Sequence, residues 1–275
     1  MTAAGRHPEI EFLTAQRTIE FPDEWYEANS EDHFWFEWRA RIARTLINTV
    51  GLPTADLLKV LDVGCGTGIT CRQFARFTHW AFDGADLNLN ALRQCDPGGG
   101  RIFYYDVLEK RPAFKDAYDV TILFDVLEHI EDTLPFLEAV LYHLKPGGVL
   151  LLNVPALMTF YGVYDEVAGH CRRYTKETLA QEFVHLEATV LAQVYWGFTM
   201  LPVLWVRHRL LQGKPRDQVI RTGFVPPHPF VHSLLRAAMV TELAVIKSPP
   251  LGSSVMCAIR KSDGGKVVGA GTGGL

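Results

Sequence analysis

From residue 59 to residue 154, short apolar runs alternate with stretches of helical periodicity. Residues 59–63 form the first run and read as a strand. Further strands are predicted at 79–85, 101–105, 118–124 and 149–154. The run at 118–124 is almost continuously apolar, as expected of a strand covered on both faces. Helices are predicted between them at 69–77 and 88–95. At 131–144, Leu134, Leu137, Val140, Leu141 and Leu144 fall at helical spacing. Lys145-Pro146-Gly147-Gly148 predicts the stop of that last helix. The alternation predicts an α/β fold with a doubly wound parallel sheet. Ligands of such sheets sit beyond the carboxyl ends of the strands.

Past Val154 the pattern changes. A helix is predicted at 174–183 with Thr175 as its N-cap, then a strand at 186–196 and a last strand at 254–260. Between the last two strands lies an insertion rich in Trp, Leu, Pro and Arg. The expected division is an N-terminal helical lid (1–55), a core (56–198 plus 252–262), a helical insertion (199–251) and a disordered Gly-rich tail (263–275). Residues 189–206 carry no charge over 18 positions, the minimum for a membrane span. Gln193, Gly197 and Pro202 interrupt the stretch, and its first half is needed as a strand, so no span is expected. Residues 198–211 combine Trp205 and leucines with Arg207, His208 and Arg209. That mixture suits either an interfacial helix at a membrane surface or a cap over a substrate pocket. A second apolar helix is expected at 233–245, after Pro226-Pro227-His228-Pro229.

Composition adds three points. With 275 residues, 48% hydrophobic and 21% charged, the chain reads as a soluble globular protein. The five cysteines are scattered and form no C-x-x-C pair, which argues for a reducing compartment and against a zinc ribbon. Residues 1–17 hold no apolar core, so a cytoplasmic location without a signal peptide is expected, with peripheral contact at the inner membrane face as an extension. The net charge of −4 hides an asymmetry. From Val203 onward ten Lys/Arg stand against three acids, while residues 1–202 hold 17 against 28. The basic C-terminal third points to contact with something anionic.

The densest chemical signal is Val60-Leu61-Asp62-Val63-Gly64-Cys65-Gly66-Thr67-Gly68. Glycines at every second position let backbone approach a ligand closely, and a following helix adds free N–H groups. A dinucleotide fingerprint requires G-x-G-x-x-G/A, but Ile69 stands at the third glycine position. A phosphate loop requires Lys after the glycines, and none follows. Asp62 precedes the turn instead, which suits a positively charged cofactor without a phosphate. This segment resembles the first motif of the class I S-adenosylmethionine (SAM)-dependent methyltransferases, hydrophobic-hydrophobic-D/E-hydrophobic-G-x-G-x-G. The resemblance implies a Rossmann-like seven-stranded sheet of order 3-2-1-4-5-7-6 with the last strand antiparallel, and SAM as cofactor.

The acids at the strand ends fit the same reading. Asp86 follows the second strand, about 20 residues after the turn, where an acid accepts ribose hydroxyls, and Leu87 is placed to lie on adenine. Asp106 follows the third strand and is placed to accept from the adenine amino group. The resemblance adds Asp62, Gly64, Gly66, Gly68, Val107 and Phe124 to the cofactor-binding set.

Strand four ends in Phe124-Asp125-Val126-Leu127-Glu128-His129, similar to the E-x-x-E-H segment of the ubiquinone-biosynthesis O-methyltransferases, with Asp125 replacing the first Glu. His129 is a candidate general base. Alternatively Asp125, Glu128 and His129 are candidate ligands of a divalent ion. The aromatic segment from Trp25 to Arg39 is similar in layout to the N-terminal segment of the same group. There Arg39 is expected to pair with the cofactor carboxylate. After strand five, Gly169-His170-Cys171-Arg172-Arg173-Tyr174-Thr175 is similar to bacterial ubiquinone/menaquinone methylase-like enzymes, and His170 is a second candidate base.

These features predict methyl transfer, most simply O-methylation, to a small-molecule or lipid-linked acceptor. No Asn/Asp-Pro-Pro-aromatic motif follows strand four, so no nucleic-acid substrate is expected. The oligomeric state has no signal in the sequence. The rival readings are a non-catalytic SAM-binding subunit and, disfavoured by Ile69, a nucleotide-dependent oxidoreductase.

Overall fold

The structure is a computed structural model, which describes residues 9–17, 31, 33–96, 98–215, 218–219 and 229–263. Most of the expected aromatic lid before residue 33, the segment Pro226-Pro227-His228 and the Gly-rich tail lie outside the described residues.

In chain order the elements are β1 (Ile10–Phe12), α1 (Phe34–Thr49), β2 (Lys59–Val63), α2 (Ile69–Phe74), β3 (Ala81–Asp86), α3 (Leu89–Leu92) and β4 (Ile102–Tyr104). There follow β5 (Tyr118–Phe124), α4 (Thr133–His143), β6 (Leu144–Pro155), α5 (Val163–Ala168), α6 (Lys176–Gln181) and β7 (Ala188–Trp196). The last elements are α7 (Leu201–Leu211), α8 (Pro229–Val245) and β8 (Ser254–Lys261).

One sheet runs β1-β4-β3-β2-β5-β6-β8-β7, with β8 antiparallel to both of its neighbours. From β4 to β7 this is the expected 3-2-1-4-5-7-6 order. The sheet has an eighth strand where seven were expected: β1 pairs parallel with β4, Ile10 opposite Ile102. Three residues are too few to show a period of two, which is why the pattern of apolar positions does not reveal it.

The doubly covered sheet follows from strands that are apolar on both sides. In β5, Val120, Ile122 and Phe124 pack with Trp38, Ile42 and Leu46 of α1 and Phe74 of α2. Tyr118 and Leu123 point to the other face, where they join Phe136, Leu137 and Val140 of α4. Asp62 shares the parity of Val60, on the α1 side.

Two boundaries differ from expectation. The predicted helix stop at 145–148 is the bulged start of β6: Leu144 pairs with Tyr118, then the register jumps to Val149 opposite Val120. Gly147, at φ +74°, accommodates the extra residues, and Lys145 Nζ reaches Asp119 Oδ1 at 2.6 Å. Residues 163–168, read as loop from sequence, form α5. Its N-cap position is Gly162, whose N–H donates to the Asp165 carboxylate at 3.1 Å.

The insertion is packed onto the core. Glu242 of α8, 2% exposed, sends its carboxylate to the start of the turn before α7. It accepts from the N–H groups of Gly197 (2.9 Å), Phe198 (3.1 Å) and Thr199 (2.8 Å), and from Thr199 Oγ1 (2.8 Å). A helical N-terminus with free N–H groups is where a carboxylate is most stabilising. Arg236 of the same helix pairs with Glu37 of α1 at 3.0 Å. Among the described residues no helix is long and apolar enough to cross a membrane.

Candidate active site

The glycine turn follows β2 with Gly64, Gly66 and Gly68 all in the left-handed region, at φ +76°, +53° and +79°. Gly64 has no space for a side chain, because a Cβ there would stand 2.4 Å from Val126 Cγ2. Asp86, at the end of β3, closes the turn: its Oδ2 accepts from Gly66 N–H at 2.8 Å and its Oδ1 from Asn88 N–H at 2.8 Å. Burial pushes the Asp86 carboxyl above the usual range, and the hydrogen bonds from Asn88, Gly66 and Leu87 oppose that shift. Leu87 is half-buried and packs with Cys65 and Tyr104.

Asp62 lies beneath the turn, 3% exposed. Burial raises its carboxyl to about 7; Arg39 pulls it down and Asp86 pushes it up. Its Oδ2 accepts no hydrogen bond among the described residues. Asp106 follows β4, accepting from Leu108 N–H at 3.0 Å and from Arg17 at 2.7 Å. Val107, next to it, points into the core, and Phe124 at the end of β5 lies under the Arg39 guanidinium, 5.1 Å from ring centroid to Cζ.

Arg39 is buried, and in this structure its partner is Asp125, at 2.6 Å. It also donates to Thr70 Oγ1 at 3.2 Å. Asp125 adopts φ +57°, a conformation Asp tolerates better than most residues. Its other oxygen accepts from Asn153 Nδ2 at 2.6 Å, and Asn153 Oδ1 accepts from Trp196 Nε1 at 2.9 Å. A chain of hydrogen bonds thus joins α1, β5, β6 and β7. Asn153 and Trp196 escaped the sequence reading; the signal was an amide inside an otherwise apolar strand.

The strand-four motif and the loop after strand five come together. His129 and His170 stack edge to face with ring centroids 4.8 Å apart. His129 Nδ1 donates to Gly169 O at 3.1 Å, and burial together with His170 lowers its pKa to about 4. His170 Nδ1 pairs with Asp165 Oδ1 at 2.8 Å. Asp165 also accepts from Arg173 Nε at 2.8 Å. Burial works against the Asp165 carboxylate, but His170 and Arg173 hold it below the usual range. Glu128 is 1% exposed; burial and the nearby Asp125 push its carboxyl well up. Its carbonyl accepts from Cys171 N–H at 2.7 Å, tying the two segments together. The Asp125 oxygens are bonded instead to Arg39 and Asn153.

A donor with a sulfonium charge and ribose hydroxyls fits the first half of this site. The unpartnered Asp62 oxygen, the turn a Cβ would fill and the half-buried Asp86 carboxylate supply negative charge, close approach and acceptors.

Comparison with known proteins places the chain in a class. The family of the methyltransferase domain matches residues 32–193, more than half of the chain. The chain belongs to this family of SAM-dependent methyltransferases. Among curated relatives, ubiquinone biosynthesis O-methyltransferases of Dinoroseobacter shibae and Rickettsia canadensis are 35% identical over 100 residues and 30% over 99. Each match covers 35% of this chain and only 40% and 42% of the relative's length. Among solved structures, the cyclase SpnF superposes with TM-score 0.55 at 18% identity, covering 86% of both chains. A SAM-dependent methyltransferase from Mesorhizobium loti gives 0.50 at 15% identity, over 78% of this chain and 96% of the other. At those identities the likeness is one of fold, and the cyclase is a reminder that fold does not set the reaction.

Proposed function

We propose that the chain transfers the methyl group of SAM to an oxygen of a small-molecule or lipid-linked acceptor. The observation that carries the donor half is the convergence of Asp62, Asp86 and Asp106 on one sheet edge, with Asp86 closing the glycine turn. SAM supplies a sulfonium-activated methyl group. The residues of this chain bind and align it: Asp86 toward the ribose, Asp106 toward the adenine amino group, and Asp62 as a buried carboxyl under the turn that the sulfonium charge draws toward its ionised form. The carboxylate end is assigned to Arg39, released from Asp125.

On the acceptor side, the Glu128–His129–His170 cluster takes charge of the acceptor oxygen. His170, oriented by Asp165, is the better placed of the two histidines, since a group with pKa near 4 such as His129 holds a proton weakly at neutral pH. Oxygen as the acceptor atom is supported by the names of the curated relatives. The test is twofold. Calorimetry should show SAM binding that Asp86→Ala weakens at least tenfold. Labelled SAM incubated with lipid and aqueous extracts of the source cells should then deliver its methyl group to a base-stable, ether-linked product. NADH binding in preference to SAM would overturn the reading. SAM binding without transfer to either extract would favour the non-catalytic alternative.

A lipid-linked acceptor also accounts for the insertion surface. Trp205 (55% exposed) and Leu210 of α7, and Phe230 (74%) and Leu234 of α8, stand near Arg209 and Arg236 in sequence. Apolar and basic side chains together suit contact with an anionic bilayer. Flotation with anionic liposomes should carry the protein upward; protein left at the bottom would remove this part of the proposal.

A further inference from the structure

Helix α7 is patterned inside out. Leu204, Arg207, His208 and Leu211 fall at helical spacing and form the stripe that faces α5. Leu204 and Leu211 are buried there as an apolar stripe requires, and Leu211 packs with Val167 and Ala168 of α5. Arg207 and His208 stand half-buried on the same stripe, while Trp205, Val206 and Leu210 are exposed. An amphipathic helix ordinarily does the reverse, because drawing a cation out of water is costly unless an opposite charge meets it.

The inward stripe walls a narrow cleft whose other side is formed by Gly162, Tyr164, Asp165 and Arg173. The Arg207 guanidinium lies over the Tyr164 ring, 3.9 Å from Cζ to centroid, and pairs with no carboxylate among the described residues. The carboxylate lining the cleft, Asp165, is committed elsewhere. Its Oδ1 accepts from Arg173 Nε and His170 Nδ1, both at 2.8 Å, and its Oδ2 from Gly162 N–H at 3.1 Å. Two guanidinium groups thus share one carboxylate. His208 adds a directed donor. Its Nε2 accepts from Gln212 Nε2 at 3.1 Å, so the proton of the neutral ring sits on Nδ1. That nitrogen is turned to Gly162, where a Cβ would stand 2.8 Å from it. The cleft also adjoins the chemistry, since Asp165 orients His170, whose ring meets His129.

We infer that the cleft between α5 and α7 is an oxyanion subsite, which takes a carboxylate or phosphate carried by the acceptor and holds it through the Arg207 guanidinium and His208 Nδ1–H. The guanidinium fork matches both groups, and partial burial strengthens the pairing over that in open water. The site therefore selects acceptors with a negative charge. The inference deepens the proposed methyl transfer and rests on that reading only in calling the ligand an acceptor.

The test uses the full chain and saturation-transfer NMR with three probes: benzoate, phenyl phosphate and the neutral benzamide. At least one of the anions should bind about tenfold more tightly than benzamide, and the tighter of the two identifies the group as carboxylate or phosphate. Arg207→Gln should erase that preference, and His208→Gln should reduce it about threefold. Lys214→Gln, which removes an exposed cation just past α7, should leave it unchanged. Equal binding of all three probes overturns the inference. So does a preference that survives Arg207→Gln in a variant that melts and binds SAM like the wild type, or one that is lost with Lys214→Gln. With labelled SAM and cell extracts, the methylated product should be retained on an anion exchanger. A lipid-phase product marks a lipid-linked source of the anion, and an aqueous one a free source. Arg207→Gln should raise the acceptor KM about tenfold with kcat within about twofold, because a grip on a remote group is lost equally from ground and transition states. An uncharged product overturns the inference and leaves methyl transfer standing. Failure of the methyltransferase reading shows differently, as anion preference without SAM binding.

Discussion

In the proposed function, the donor half and the acceptor half of the site are built in opposite ways. The donor half takes its acids from the ends of three neighbouring strands, and each stands within a residue or two of its strand. The acceptor half is assembled across the chain: His129 meets Gly169, Cys171 N–H meets the Glu128 carbonyl, and Asp165 holds His170. A local construction fixes its ligand through backbone spacing. An assembled one fixes its chemistry through the loops it joins, which is where loop-borne specificity concentrates.

Substitutions can break this contrast, and the largest effect is expected on the acceptor side. His170→Ala should cut methyl transfer by about 10²- to 10⁴-fold while SAM affinity stays within about twofold. Turnover measured as S-adenosylhomocysteine release, beside calorimetry, checks it; equal loss in both would merge the two halves.

Next is Gly64→Ala on the donor side. The left-handed φ and the overlap with Val126 should together cost about 2–3 kcal/mol and weaken SAM binding by a similar factor in free energy. Adding Val126→Ala should recover part of that loss, because only the overlap is relieved.

Glu242→Ala strands three N–H donors at the root of the cap and should lower stability by about 3 kcal/mol in denaturant unfolding. SAM affinity should change far less than thermal stability.

The smallest effect concerns pH. Asp62 has a folded pKa of about 7, raised above the ordinary 3.8, so the fold binds the protonated form more tightly. Its contribution is fully present below about pH 4 and is lost as pH rises through about 7. Apo-protein Tm should therefore fall from pH 5 to pH 8, opposed by Arg39 and aggravated by Asp86. Asp62→Asn should flatten that fall by an amount on the order of 1–3 kcal/mol at pH 8 while weakening SAM binding. A Tm profile unchanged by the substitution would show that Asp62 titrates elsewhere.

The same contrast explains what the sequence made legible. Strand ends are found by periodicity, so the positions of Asp62, Asp86 and Asp106 could be read from the residues, while the order from β4 to β7 is what the family resemblance implies. Tertiary pairing is not periodic. No pattern announces that Arg39 pairs with Asp125, and α5, only 6 residues long, leaves Asp165 reading as a loop acid. The three-residue β1 and the bulge at Gly147 fall below the length at which a pattern forms.

Glu242 carries a consequence for how such a protein diversifies. One carboxylate clasps the root of the cap, while the donor site lies on the other strands of the sheet. Change at the exposed positions of α7 and α8 can therefore proceed while Glu242, Arg236 and the buried Met239 stay. The exposed roof can be reworked while the strands bearing Asp62, Asp86 and Asp106 stay as they are.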